Sequence, residues 1–204
     1  RVRRREDGRF LTGRGRYVAD LARPHMAFAA VLRSPHAHAV IRRIDTRRAT
    51  TLPGVLDCIT FADLRRPVVP IPLRRGFRPA LQPYLQRPLA EDRVRYVGEP
   101  VAVVVAGDRY AAEDARELVE VEYELLPAVV DAERALAPGS PALYPDGNVA
   151  DTWTLNVGDV AGAFAEAAHV LRRRFAIQRH TGVPMETRGL IAEYDAGRGV
   201  VTVW

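Results

Sequence analysis

Between Tyr96 and Leu126 the apolar residues change period twice, and this stretch organises the reading of the chain. Val101–Ala106 is a continuous run of small and β-branched apolar residues, the pattern of a strand buried on both faces. Gly107 and Asp108 stop it. Asp108 is placed to cap a following helix, because its short carboxylate can accept the orphan N–H groups of a first turn. Ala111, Ala112, Ala115, Leu118 and Val119 then recur at helical spacing, with Glu113, Asp114, Arg116 and Glu117 on the other side. Val121–Leu126 alternates apolar and acidic residues, which predicts a half-exposed strand that Pro127 ends. The unit reads strand, turn, helix, strand, and carries no obviously reactive side chain.

The same patterns place the other elements. Arg1–Tyr17 is basic and punctuated by Gly8, Gly13 and Gly15, and reads as an extended lead-in. Strands are predicted over His25–Arg33, Ala37–Ile44 and Val55–Thr60, with a short helix over Asp45–Thr51 capped by Asp45 or Thr46. Arg65–Pro88 holds six of the chain's 15 prolines and reads as a long irregular loop. Ala132–Ala137 predicts a short helix, followed by two turn clusters ending at Asn148. Beyond them come a strand over Thr152–Val157, a helix over Val160–Ala168 capped by Asp159, and a long strand over His169–Gln178. Leu190–Tyr194 and Val200–Trp204 form a hairpin around Asp195–Gly199. The last strand stops at Trp204 and the first residue is Arg1, so the chain is expected to be part of something longer, with apolar surface exposed where pairing is cut off.

Composition narrows the chemistry. The 204 residues are 48% hydrophobic, enough for a real core, and no apolar run reaches the roughly 18–20 residues that span a bilayer. Arg3-Arg4-Arg5 is followed by Glu6, Asp7 and Gly8, not by an apolar segment, which excludes a twin-arginine export signal in the chain as it stands. The net charge is +5, yet all 30 basic residues are arginine. A phosphate-binding surface can use either basic residue, so the absence of lysine reflects compositional bias more than nucleic-acid binding. Cys58 is the one cysteine and lies in an apolar strand, which points to a buried structural thiol and leaves no cysteine-built cluster or zinc site within this chain. His36 and His38 share a strand face but lack further ligands at useful spacing.

Five stretches carry a resemblance: Arg5–Asp20 (REDGRFLTGRGRYVAD), Arg33–His38 (RSPHAH), Tyr96–Ala106 (YVGEPVAVVVA), Val121–Val130 (VEYELLPAVV) and Gln178–Gly189 (QRHTGVPMETRG). In content, order and spacing they resemble the N-terminal part of the molybdopterin-binding large subunit of the xanthine dehydrogenase / aldehyde oxidase / carbon monoxide dehydrogenase family. The resemblance implies an α+β chain with residues 1–12 as lead-in, 13–131 as an α/β hammerhead domain, 132–150 as linker, and 151–204 as the incomplete start of a molybdenum-cofactor-binding domain. It implies an oxidoreductase that hydroxylates an aldehyde, N-heterocycle or similar carbon centre with water-derived oxygen, or oxidises carbon monoxide, and a chain that is inactive alone. The implied cofactor is molybdopterin, in its simple or cytosine dinucleotide form. The implied partners are the rest of the large subunit and subunits carrying [2Fe–2S] clusters and FAD, in a cytoplasmic dimer of heterotrimers without nucleic acid or membrane.

One site residue follows from the resemblance. In the family a glutamine shortly before a Met/Leu-Glu pair donates a hydrogen bond to an oxo ligand of molybdenum. Gln178, eight positions before Glu186, fits the carbon monoxide dehydrogenase-like spacing, whereas the xanthine dehydrogenase-like spacing points to His180. No catalytic residue and no metal ligand is expected in this chain, and Glu186 is expected in an ion pair with Arg188 or another arginine. The alternative function is a basic module binding single-stranded nucleic acid through the Arg65–Arg87 loop, with Phe77 and Tyr84 stacking on bases. Salt-sensitive retention on single-stranded DNA separates that alternative from the enzyme.

Overall fold

The computed structural model describes residues 4–73, 79–178, 180–184 and 186–204. In chain order the elements are α1 (Asp7–Leu11), β1 (Phe28–Arg33), β2 (Ala39–Asp45), α2 (Arg47–Thr50), β3 (Val55–Thr60), β4 (Arg93–Val94), β5 (Pro100–Ala106), α3 (Arg109–Glu117), β6 (Glu120–Leu125), α4 (Ala132–Ala135), α5 (Val160–Glu166), β7 (Ala192–Asp195) and β8 (Val200–Val203). The fold is mixed α and β, and it divides into two compact units, one formed by Ala27–Asn156 and one by Arg1–Met26 with Val157–Trp204.

The Ala27–Asn156 unit is built on β5, the strand that its unbroken apolar run predicts. It lies between β1 and β3, antiparallel to both. Val101, Ala102, Val104 and Ala106 are fully buried. Ala102 and Val104 pack with Ala49, Cys58, Ala115 and Val119, while Val101 on the opposite face packs with Ala39, Ala90 and Val94. A second sheet, ordered β4-β2-β6, is joined to the first through Ile44 and Val121, which pack against both clusters. The neighbouring strands β5 and β6 therefore lie in different sheets, with α3 between them in sequence packed across β1 and β5.

Local chemistry sets the ends of these elements. The Asp108 carboxylate accepts from the amides of Tyr110 and Ala111 at 2.9 and 3.0 Å, as a cap should. Asp108→Ala is expected to lower the stability of this unit by about 1 kcal/mol, read as a drop in urea midpoint at unchanged slope. At α2 the choice falls on Asp45, whose Oδ1 accepts from the Arg47 amide at 3.1 Å, while the Thr46 side chain makes no cap bond. The hydrogen-bonded Arg47 guanidinium holds the Asp45 carboxyl well below the usual range. Gly54, at φ +87°, provides the left-handed turn before β3, and its carbonyl accepts from the Gly107 amide at 2.9 Å.

Three expectations about the two ends of the chain are corrected. The lead-in is not wholly extended, because Asp7–Leu11 is helical. The Thr12 hydroxyl closes that helix by donating to the Gly8 carbonyl at 2.6 Å, and the Phe10 ring stacks on Tyr17 at 6.1 Å. These local bonds outweigh the glycine punctuation. Thr152–Val157 and His169–Gln178 form no strands, although the Asp159 cap and α5 are present. Alternation shows that a segment can serve as a strand, but a strand needs a ladder partner, and neither segment pairs with a described strand. The hairpin stands: β7 and β8 pair from Ala192–Val203 to Asp195–Val200, and Ile191 and Trp204 exchange backbone bonds at 3.0 and 2.9 Å. Its residues are exposed.

Candidate functional site

The segment from Gln178 to Gly189 collects the polar groups that sequence reasoning singles out; Arg179 and Met185 lie outside the described residues. Gln178 and His180 are both exposed, and the His180 Nδ1 lies 3.4 Å from the Gln178 carbonyl oxygen. Three residues after His180, Val183 has φ +41°. A β-branched residue in this region is strained by about 1–3 kcal/mol and persists only where its surroundings enforce it. Glu186 lies three positions beyond Val183. Its Oε1 accepts from the Val18 amide at 2.6 Å, and among the described residues it forms no ion pair with Arg188 or any other arginine, contrary to expectation. Gly189 follows, and a Cβ there would touch the Val18 side chain at 3.5 Å.

The chemistry of this segment is donation. Gln178 offers a neutral carboxamide N–H and His180 an imidazole, a set suited to an oxygen acceptor such as an oxo group. Among the described residues no group of three or more His, Cys, Asp or Glu side chains stands ready to hold a metal ion. His36 and His38 are not brought together. The buried His38 shares its Nδ1 with the Pro127 carbonyl at 3.0 Å, while the His36 ring meets Tyr123 edge-on at 4.9 Å.

The Ala27–Asn156 unit contains a cavity of about 440 Å³ lined by Tyr84, Arg95, Tyr96, Glu99 and Tyr144 among others. Sequence reasoning missed Glu99, whose signal is a carboxylate set between Gly98 and Pro100 at the mouth of a buried strand. It is 8% exposed, and its Oε2 accepts from the Arg95 amide at 2.5 Å. Burial pushes the Glu99 carboxyl above its ordinary value. Because its folded pKa is raised, the charged form is disfavoured by folding, and stability falls as pH rises from about 4.5 through the folded-state value. Glu99→Gln keeps an acceptor for the Arg95 amide. It should remove this pH-dependent loss, seen in urea midpoints at acid and neutral pH.

Several described residues of the proline-rich loop are engaged within the unit. It contains a 3₁₀ turn over Pro79–Tyr84, and the Ile71 amide bonds the Gln86 carbonyl at 2.8 Å. Tyr84 packs edge-on against Tyr144 at 4.8 Å, and Arg66 and Arg87 lie over Phe61 at 4.5 and 5.3 Å. Arg74, Arg75, Phe77 and Arg78, on which the base-stacking alternative also draws, lie outside the described residues. Cys58 is buried, and burial raises its thiol pKa, in keeping with a structural role.

Residues 12–127 match the family described as aldehyde oxidase and xanthine dehydrogenase, a/b hammerhead domain. Residues 143–204 match the family described as molybdopterin cofactor-binding domain. The chain is 40% identical to the 6-hydroxypseudooxynicotine dehydrogenase complex subunit gamma of Paenarthrobacter nicotinovorans, over all of this chain and 26% of that protein. It is 39% identical to the carbon monoxide dehydrogenase large chain of Afipia carboxidovorans, over 99% of this chain and 26% of that one. The crystal structure of quinoline 2-oxidoreductase from Pseudomonas putida 86 superposes with a TM-score of 0.80 at 42% identity, again over all of this chain and 26% of the other. The chain spans about a quarter of the length of the curated relatives it matches.

Proposed function

Because the chain belongs to the aldehyde oxidase and xanthine dehydrogenase family, we propose that it serves as the N-terminal quarter of the large subunit of a molybdenum-cofactor oxidoreductase. The observation that carries this reading is the succession of two family matches, in the order a large subunit requires, on a chain alignable from end to end with such subunits. In this reading residues 13–131 form the hammerhead domain, 132–150 the linker and 151–204 the opening of the cofactor-binding domain. The unmatched interval between residues 127 and 143 supports a boundary there.

When bound, the molybdenum cofactor supplies the two-electron redox chemistry, and the protein supplies orientation and hydrogen bonds. Gln178 would help to hold the cofactor by offering its side-chain amide N–H to an oxygen of the metal centre. His180 is the competing donor. In this reading the general base is supplied from outside residues 1–204, and the chain alone is expected to turn over no substrate.

The finer reading has a cofactor in the cytosine dinucleotide form and partner subunits carrying [2Fe–2S] clusters and FAD. The assembly is a cytoplasmic dimer of heterotrimers, and the substrate an aldehyde, an N-heterocycle or carbon monoxide. Among the described residues no helix is long and apolar enough to cross a membrane. Turnover in isotopically labelled water tests the reaction class. Hydroxylation should place the water oxygen in the product, and a product labelled only from dioxygen would overturn the assignment.

A further inference from the structure

The residues before β1 carry no chemical role in the proposed function, yet Arg1–Met26 pack in one unit with Val157–Trp204. Three contacts join them. Glu186 Oε1 accepts from the Val18 amide at 2.6 Å across 168 positions of sequence, Gly189 abuts the Val18 side chain, and the Arg23 guanidinium lies 4.5 Å from the Trp204 ring centroid. The 3₁₀ turn Val18–Asp20 explains why Val18 is available. The Asp20 carboxylate already takes the Tyr17 amide at 2.9 Å, and the Val18 carbonyl takes the Leu21 amide at 3.1 Å. The Val18 N–H, first in the turn, has no partner within it. A carboxylate is the strong acceptor for such a donor.

On the other side of the contact stands a strained loop. Val183 holds a conformation that a free chain would leave, and Glu186 is three residues on. We infer that Glu186 is a positioning residue: by gripping the Val18 amide it ties the Val18–Asp20 turn to the segment that carries Gln178 and His180, and steadies the presentation of those two side chains. The inference rests on the proposed function for what the loop presents, but the tether itself is a property of the chain alone. It assigns a role to the segment around the Val18–Asp20 turn, as a strap on the cofactor-facing loop.

The bond can be cut from either end. Glu186→Ala removes the acceptor. Val18→Pro removes the donor at a position whose backbone accepts proline, since Tyr17 before it is extended at φ −117°, ψ 167° and Val18 opens the turn. Glu186→Gln retains a neutral acceptor and serves as the conservative rescue. In the full large subunit, amide hydrogen exchange across residues 178–189 should quicken about tenfold in Glu186→Ala and equally in Val18→Pro. The double variant should be no faster than either single one, because both cut the same bond. Glu186→Gln should lie near the parent. With cofactor loaded, kcat should fall in the two cutting variants while KM stays put. Additive effects, or exchange in 178–189 unchanged by both cuts, would overturn the tether. If Glu186→Ala fails to fold, Val18→Pro and Glu186→Gln decide between the two outcomes. Exchange is read without turnover, so a subunit devoid of molybdenum would refute the functional reading and leave the tether to stand or fall by itself.

Discussion

Val104→Asp is expected to unfold the Ala27–Asn156 unit. Val104 is fully buried at the centre of β5, which is hydrogen-bonded on both sides, so there is no edge toward which a carboxylate can turn. Its neighbours in the core are Ala49, Cys58, Ala102, Ala115 and Val119, none of which can pair with a charge. An unpaired carboxylate in such a place costs more than about 4 kcal/mol, a large part of the stability of an ordinary domain. Val104→Ala leaves only a small void and should cost about 2 kcal/mol. The pair of variants separates loss of packing from burial of charge. Urea unfolding followed by circular dichroism should give a lower midpoint for alanine and no cooperative transition for aspartate. A cooperative transition within 1 kcal/mol of the parent for Val104→Asp, on the order of a surface substitution, would contradict the central position of β5.

Gln178→Ala in the complete subunit should lower turnover about a hundredfold, the scale on which a lost preorganised donor acts. The residue is exposed in the described unit, so its removal leaves no cavity and should not change stability. That combination of a large kinetic effect with an unchanged urea midpoint marks a cofactor contact. His180→Ala is the comparison. If Gln178→Ala turns over at the parental rate and His180→Ala does not, the contact belongs to His180. If neither variant slows, this loop does not meet the cofactor.

What the residues reveal in advance follows the range of the interactions. The β5–α3–β6 order, the Asp108 cap and the β7–β8 hairpin were legible because each depends on neighbours within a few positions. The division of β5 and β6 between two sheets was not, since it depends on pairing with β1, β3 and β2 far along the chain. His169–Gln178 shows the converse: its alternation is real, but pairing requires a second strand, and none of those described pairs with it. At the site, Gln178 and His180 come from resemblance alone, since a polar residue before a Met-Glu pair says nothing of molybdenum by itself. The partner of Glu186 was beyond local reasoning. Arg188, two residues away, is the nearest cation in sequence, yet the carboxylate goes to the Val18 amide, which the Val18–Asp20 turn leaves open. Glu99 was missed because a hydrophobic pattern does not register one acid at the end of an apolar run, although its place between Gly98 and Pro100 was visible.

The most direct measurement is the molybdenum and pterin content of the complete subunit, purified with its partners and analysed alongside its reaction with N-heterocycles, aldehydes and carbon monoxide. Stoichiometric molybdenum and pterin, lost together with activity when cofactor synthesis is blocked, is the predicted result. A folded, active complex that contains neither would contradict the account.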